Sequence, residues 1–314
     1  MTRRSDPPAS AMVVGGAGFV GSHLVDRLLS EGMHVEVVDD LSSGSLSNLS
    51  AARAVNASGA LHIHTLDAAL SQFTEVVRIR NPDVIYLLTA LTQSADDPSG
   101  AVRSFGIAVS VLEAARISRV DKVVVTLPAA VLYGEVPARE MPVKEDRERR
   151  PVGVAGVAAW AIIDLLELYR RDHDIEFTVL ALSTVYGPRQ RDDGGVVSKF
   201  LAANRIGAKP VIHGDGRQTR DFLFVDDAVD AAARSLTKGG GLVLNIGTGI
   251  QTSVRELWAS IGGDQPVEIE PRARQDLNRV ALSSSRARLH LGWTSWTKLA
   301  DGLAQTQRGS QPEQ

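Results

Sequence analysis

Apolar and polar positions alternate along the chain in two regimes. Short runs, "AMVV" (11–14), "HVEVVD" (34–39), "LHIH" (61–64), "DVIYLL" (83–88), "KVVVTL" (122–127) and "FTVLAL" (177–182), are rich in branched apolar side chains. Near-continuous runs of this kind predict strands buried on both faces, as in a parallel sheet. Between them lie amphipathic stretches such as "FVGSHLVDRLLSEG" (19–32) and "VSVLEAARIS" (109–118), with apolar residues at helical spacing. The alternation predicts an α/β fold, a Rossmann-type doubly wound parallel sheet with helices on both faces. After about Ser183 the rhythm loosens. "GPRQRDDGG" (187–195) and "HGDGRQTRD" (213–221) are turn-rich, which predicts a smaller α/β C-terminal lobe from 183–221 and 249–305. "GLVLNIGTG" (241–249) reads as a strand within a segment, 222–248, that returns to the 11–182 unit. Residues 1–10 and 306–314 read as polar, disordered ends.

Composition narrows the function. At 314 residues the chain has room for one large domain or two intimate ones. A net charge of −3 argues against a nucleic-acid partner. With no cysteine, disulfides, thiolate metal sites and a cysteine nucleophile are excluded, and a reducing cytoplasm suits the chain. No apolar run approaches the roughly 20 residues of a membrane span. The paired arginines of "MTRRSDPPAS" precede no long apolar run, which argues against an export signal.

"MVVGGAGFVGSHLVDRLL" (12–29) carries the clearest chemistry. Gly15, Gly18 and Gly21 are spaced G-x-x-G-x-x-G between a strand and a helix. The first glycine permits a tight turn, the second lets backbone approach a pyrophosphate at the helix N-terminus, and the third allows helix to pack on strand. The next strand ends in Asp39, 24 residues after Gly15, where a carboxylate accepts bonds from both ribose hydroxyls of NAD and repels the 2′-phosphate of NADP. Asp40 reads as its solvated neighbour. Asp67, after the third strand, is either an adenine contact or a plain turn aspartate. Phe19 and Val20, at the start of the helical stretch, and Leu88, at the end of the fourth strand, complete the candidate cofactor set. No metal site is expected.

With "VVGGAGFVGSHLVDRLL", "VVDDLSSG", "VLYG", "VYGPRQ" and "GDGRQTRDFLFVDDAVDA", the chain resembles the NAD-dependent epimerase/dehydratase family, extended short-chain dehydrogenases acting on nucleoside-diphosphate sugars. The resemblance runs from about Ala11 to about Leu303. It implies NAD in the first lobe and a UDP or dTDP sugar in the second. It further implies substrate contacts from Thr184, from Arg220 in "TRDF", and from Asp276 in "ARQDLNRV" near the nucleotide ribose. An alternative for Arg220 is a surface pair with Asp221. The family arginine three residues before Asp276 is Ala273 here, with Arg272 and Arg274 as neighbours. The family commonly dimerises through two helices per subunit, which correspond here to Ser104–Ile117 and Gly153–Arg171.

The same resemblance exposes a loss. The family's proton chemistry uses a tyrosine, a lysine four residues later on one helix, and a serine or threonine before "VYG". Those positions hold Ala155, Ala159 and Ala129. Asp-Glu, which dehydratases carry before that turn, is replaced by Ala130 and Val131. Leu182 stands where the family often has tyrosine, Thr184 where it often has asparagine, and the loop "TALTQSADDP" (89–98) is short. A positioned acid or base contributes about 10²–10⁴-fold, so little ordinary turnover is expected. Two readings follow: a non-catalytic NAD-binding protein, acting as a sensor or as partner of an active homologue, or an enzyme with a non-standard acid/base. Thr126, Thr92, Ser94 and Gln93 lie near the expected site, and none is a good base unaided. A purely structural module fits poorly with the intact phosphate loop.

Overall fold

The computed structural model describes residues 9–55, 59–88, 98–271 and 277–309. Strands β1 (Ser10–Val14), β2 (His34–Asp39), β3 (Leu61–Thr65), β4 (Val84–Leu87), β5 (Lys122–Pro128) and β6 (Glu176–Leu182) enter one sheet. Four short strands follow: β7 (Thr184–Tyr186), β8 (Val211–His213), β9 (Thr219–Arg220) and β10 (Phe222–Phe224). The next, β11 (Leu242–Ile246), rejoins the sheet, completing seven parallel strands in the order β11-β6-β5-β4-β1-β2-β3. The rhythm of apolar runs therefore anticipated the parallel sheet.

Strand geometry sends successive side chains to opposite faces, and two cores result. Ala11, Val13, Val35 and Val37 face one core. Met12, Val14, Ile85 and Leu87 face the other. The first is covered by α1 (Phe19–Ser30), through Leu24, Val25 and Leu28. The short α2 (Ser50–Ala54) adds Ala52 to it. The second core is covered by α3 (Ser71–Arg80), α4 (Pro98–Ser118), the single turn α5 (Ala129–Tyr133) and α6 (Gly153–His173). Helix α6 is rich in alanine and branched apolar residues, so it is a strong helix with a broad apolar face.

Helix α7 (Val196–Arg205) adds Val197, Phe200 and Leu201 to the first core cluster, and α8 (Val225–Arg234) packs back on α1 and the same core. Strand β12 (Thr252–Ser253) pairs antiparallel with β9. Helix α9 (Val254–Gly262) starts at a capping box: Ser253 Oγ accepts the Glu256 N–H at 3.1 Å, and the Glu256 carboxylate accepts the Ser253 N–H at 2.7 Å. Strand β13 (Glu268–Glu270) pairs with β8, and α10 (Ser285–Leu291) and α11 (Leu299–Gly309) follow. Two expectations need correction at the ends. Ser10 belongs to β1 rather than to a leader, because it pairs with His34. Residues 306–309 belong to α11 rather than to a tail: Thr306 is buried, with its hydroxyl donating to Gly302 O at 2.7 Å.

Candidate functional site

The sheet's register assembles the site. Val14, at the end of β1, pairs with Val38 on one side and Leu87 on the other. The glycine loop, Asp39 and Leu88 thus meet at the carboxyl edge, where the strand order reverses and ligands of doubly wound sheets sit. A cleft of about 590 Å³ opens there. Every candidate cofactor residue lines it: Gly15, Gly18, Phe19, Val20, Gly21, Asp39, Asp40, Asp67 and Leu88.

The loop geometry follows from its glycines. Gly15 takes φ +85°, in the left-handed region. A Cβ on Gly21 would stand 2.1 Å from Gly15 O, so only glycine lets α1 pack this closely. Helix α1 begins after Gly18 with no side-chain cap. Its first N–H groups and positive dipole end therefore offer an anion site.

Three carboxylates stand at the opposite wall. Asp39 is buried and accepts the N–H groups of Ala17 and Leu41, each at 2.9 Å. Asp40 accepts the Ser42 N–H at 3.0 Å and its hydroxyl at 2.6 Å, and pairs with Arg103 at 2.7 Å. Burial raises the Asp40 carboxyl, but the Ser42 bonds and the Arg103 charge outweigh it and hold the group below its ordinary value. Asp67 accepts the Ala69 N–H at 2.9 Å and pairs with the same Arg103 nitrogen at 3.0 Å. Asp40 is thus a cleft residue rather than a solvated bystander. Arg103 was not legible in the sequence, because an arginine inside α4 has no motif around it.

The inner end of the cleft carries Thr126, Ser183, Arg189 and Gln190. Ser183 Oγ, Arg189 Nη1 and Gln190 Oε1 are buried and have no hydrogen-bond partner among the described residues. Arg189 Nη2 pairs with Asp26 at 2.7 Å, which fixes the guanidinium in place. Each buried polar atom left unmatched costs about 1–3 kcal/mol, so these three side chains are held at some cost to stability beside the cleft.

Proton chemistry is another matter. The described residues lining the cleft include no tyrosine, lysine, histidine or glutamate. Ala129, Ala155 and Ala159 are fully buried in the apolar cluster with Leu127, Val131 and Ile162. All four tyrosines are bonded away from the cleft. Tyr86 donates to Ala232 O at 3.2 Å, Tyr133 to Asn245 Oδ1 at 2.6 Å, Tyr186 to Leu299 O at 3.3 Å, and Tyr169 to the Glu113 carboxylate. Burial pushes each phenol above its ordinary value, Tyr169 to about 12 with help from the Glu113 charge. A catalytic phenol needs the opposite shift.

The substrate candidates fare differently. Thr184 lies between Ser183 and Val185, which line the cleft, and is not itself in its lining; its N–H donates to Asp221 O at 2.9 Å. Arg220 also lies outside that lining. It pairs across β9–β12 with Thr252, and its Nη1 donates to Thr219 O at 2.8 Å and Leu277 O at 2.9 Å. The alternative pair with Asp221 does not form. Asp221 is fully buried, with its carboxylate accepting from Thr248 N, Thr248 Oγ1, Gly249 N and Leu282 N. Burial raises its carboxyl despite those bonds. Asp276, with Arg272, Ala273 and Arg274, and Thr92, Gln93 and Ser94 lie outside the described residues.

Comparison with known proteins agrees with this geometry. The chain is 41% identical over 310 residues to the UDP-glucose 4-epimerase of Mycolicibacterium smegmatis, covering 94% of this chain and 96% of that one. A crystal structure of Thermotoga maritima UDP-glucose 4-epimerase with UDP-glucose superposes with a TM-score of 0.88 at 30% identity, covering 96% of this chain and 98% of that one. The Thermus thermophilus UDP-glucose 4-epimerase, solved with NAD, gives 0.85 at 26% identity with the same coverage. The NAD-dependent epimerase/dehydratase family profile matches residues 11–247, and the chain belongs to that family.

Proposed function

We propose that the chain binds NAD in this cleft and a UDP or dTDP sugar on the second lobe, and that it lacks the proton transfer of ordinary epimerases and dehydratases. One observation carries the reading: every tyrosine is bonded elsewhere with its phenol raised, and the family's acid–base positions are buried alanines.

The residues present fit NAD. Gly15 makes the turn and Gly21 lets α1 pack against it, so that the open end of α1 after Gly18 faces the cleft and suits a pyrophosphate, and Asp39 suits ribose hydroxyls and disfavours a 2′-phosphate. Ser183, Arg189 and Gln190 add polar side chains to the lining of the same cleft. Bound NAD supplies a hydride acceptor. Thr126 and Ser183 can orient a sugar hydroxyl by hydrogen bonding, but a hydroxyl unaided by a base does not take its proton. Arg220 suits a nucleotide phosphate, since a guanidinium donates paired hydrogen bonds to such oxygens.

We assign the NAD-binding lobe to 11–182 with 222–248, and the sugar-nucleotide lobe to 183–221 with 249–305. A cytoplasmic homodimer, or a pair with an active homologue, is the proposed working form. Likeness to UDP-glucose 4-epimerases along nearly the whole chain favours one competing reading, an active enzyme with an unconventional base.

The deciding experiment is long incubation with NAD and UDP- or dTDP-hexoses, read by NMR for new sugars and by absorbance for NADH. Calorimetry of each ligand runs alongside, with Arg220→Ala as the nucleotide control. Binding of both without turnover is the expected result, with a loss of about tenfold in nucleotide affinity for the variant, from one charge-assisted bond. Turnover near 1 s⁻¹, the lower end of the usual enzyme range of about 1–10³ s⁻¹, would establish the competing reading.

A further inference from the structure

Arg103 stands between two of the three carboxylates that line the cleft, Asp40 and Asp67. Its Nη2 reaches Asp40 Oδ2 at 2.7 Å and Asp67 Oδ2 at 3.0 Å. Neither acid gives up its own loop to do this. Asp40 Oδ1 holds the Ser42 N–H and hydroxyl, and Asp67 Oδ1 holds the Ala69 N–H, so each carboxylate offers its second oxygen to the arginine. The ends of β2 and β3 are thus tied to α4, whose Ser104 and Ile107 also line the cleft. Asp39 is compensated as well: both its oxygens accept backbone N–H groups, from Ala17 and Leu41.

The consequence concerns charge. Three carboxylates alone would set three negative charges against any phosphate arriving there. Arg103 removes one of these, and the two N–H dipoles on Asp39 soften another. The acid at the end of β2 then acts against a 2′-phosphate with less force than its motif implies.

We propose that Arg103 is a selectivity-determining residue of the cofactor cleft: by bridging Asp40 and Asp67 it weakens the exclusion of a 2′-phosphate and gives the chain a measurable second affinity for NADP(H). The inference rests on reading the cleft as the NAD site. The groups are only partly buried, with side chains 47% exposed for Arg103, 29% for Asp40 and 24% for Asp67. Solvent therefore screens the effect, which should be several-fold rather than absolute and should shrink with salt.

The test is calorimetric titration of the full chain with NAD⁺ and NADP⁺ at low ionic strength, comparing the unsubstituted protein with Arg103→Gln and Arg103→Lys, each checked for folding by circular dichroism. NAD⁺ should bind tighter, with NADP⁺ binding measurable. In Arg103→Gln the NADP⁺ affinity should fall about fivefold further than the NAD⁺ affinity, and Arg103→Lys, which keeps the charge, should hold the original ratio even if the glutamine variant fails to fold. An unchanged ratio in Arg103→Gln, or equal losses for both cofactors, overturns the proposal and leaves Arg103 a brace for α4. NADP⁺ binding too weak to measure in the unsubstituted protein, beside normal NAD⁺ binding, overturns it too. If NAD⁺ itself does not bind, the reading of the cleft falls first and this inference with it.

Discussion

At residue scale, Ala129, Ala155 and Ala159 are packed as core residues. Ala155 and Ala159 are closed into the apolar cluster beneath the sheet edge, with no space of their own on the cleft wall. Returning the family residues should therefore overpack the core. The triple variant Ala129→Ser, Ala155→Tyr, Ala159→Lys is expected to lose about 1–3 kcal/mol for each enlarged side chain, the usual cost of extra volume in a packed interior. It should melt several degrees lower in scanning calorimetry and show no new sugar by NMR. Unchanged stability together with turnover would mean that the cleft wall opens to receive the new groups. The reading of these positions as a loss came from the family resemblance, by aligning "GVAGVAAWAII" with the family's tyrosine–lysine helix. That these alanines are sealed into the core was not legible, because burial depends on what packs against the helix.

At the scale of elements, α4 and α6 are joined by an interaction that neither helix announces. Tyr169 on α6 donates to the Glu113 carboxylate on α4, and Arg116 pairs with the same carboxylate. The phenol is pushed up to about 12 by burial and by that neighbouring charge. An unfolded tyrosine titrates near 10. A folded value above the unfolded one contributes stability that is fully present below pH 10 and is lost as pH rises through about 12. Stability of the unsubstituted protein should therefore fall between pH 10 and 12 more steeply than that of Tyr169→Phe, in urea unfolding followed by circular dichroism. Parallel slopes would show that Tyr169 keeps no raised titration in the fold. The helices themselves were readable from apolar spacing. Their contact was not, since residues 113 and 169 lie far apart in sequence.

At the scale of the whole molecule, both helices expose valines near their N-terminal ends, where solvent would favour polar side chains. Val102 on α4 is 67% exposed and Val157 on α6 is 57% exposed. Val154 and Leu168, also on α6, are exposed as well, and Ala161, one turn beyond Val157, is half-buried. An apolar patch shared by two packed helices suits a two-fold partner surface, where the same patch meets itself. Val157→Asp should convert a dimer to a monomer at micromolar concentration in analytical ultracentrifugation without lowering NAD affinity. A monomeric unsubstituted protein would remove this interface from the account.

What the chain alone determined is what depends on local pattern. Apolar runs set the strands, helical spacing set the helices, and the glycine spacing set the tight loop before α1, because each follows from a few neighbouring residues. The alanines at 129, 155 and 159 are likewise a plain fact of the sequence. Tertiary structure decided the rest. Register brought Val14, Val38 and Leu87 side by side and so made one cleft from three distant segments. Packing turned Thr184 and Arg220 away from that cleft, and drew residues 306–309 into a helix through the burial of Thr306. It also placed Arg103 between Asp40 and Asp67. Long-range pairing and burial are properties of which segments meet, and no window along the chain encodes them.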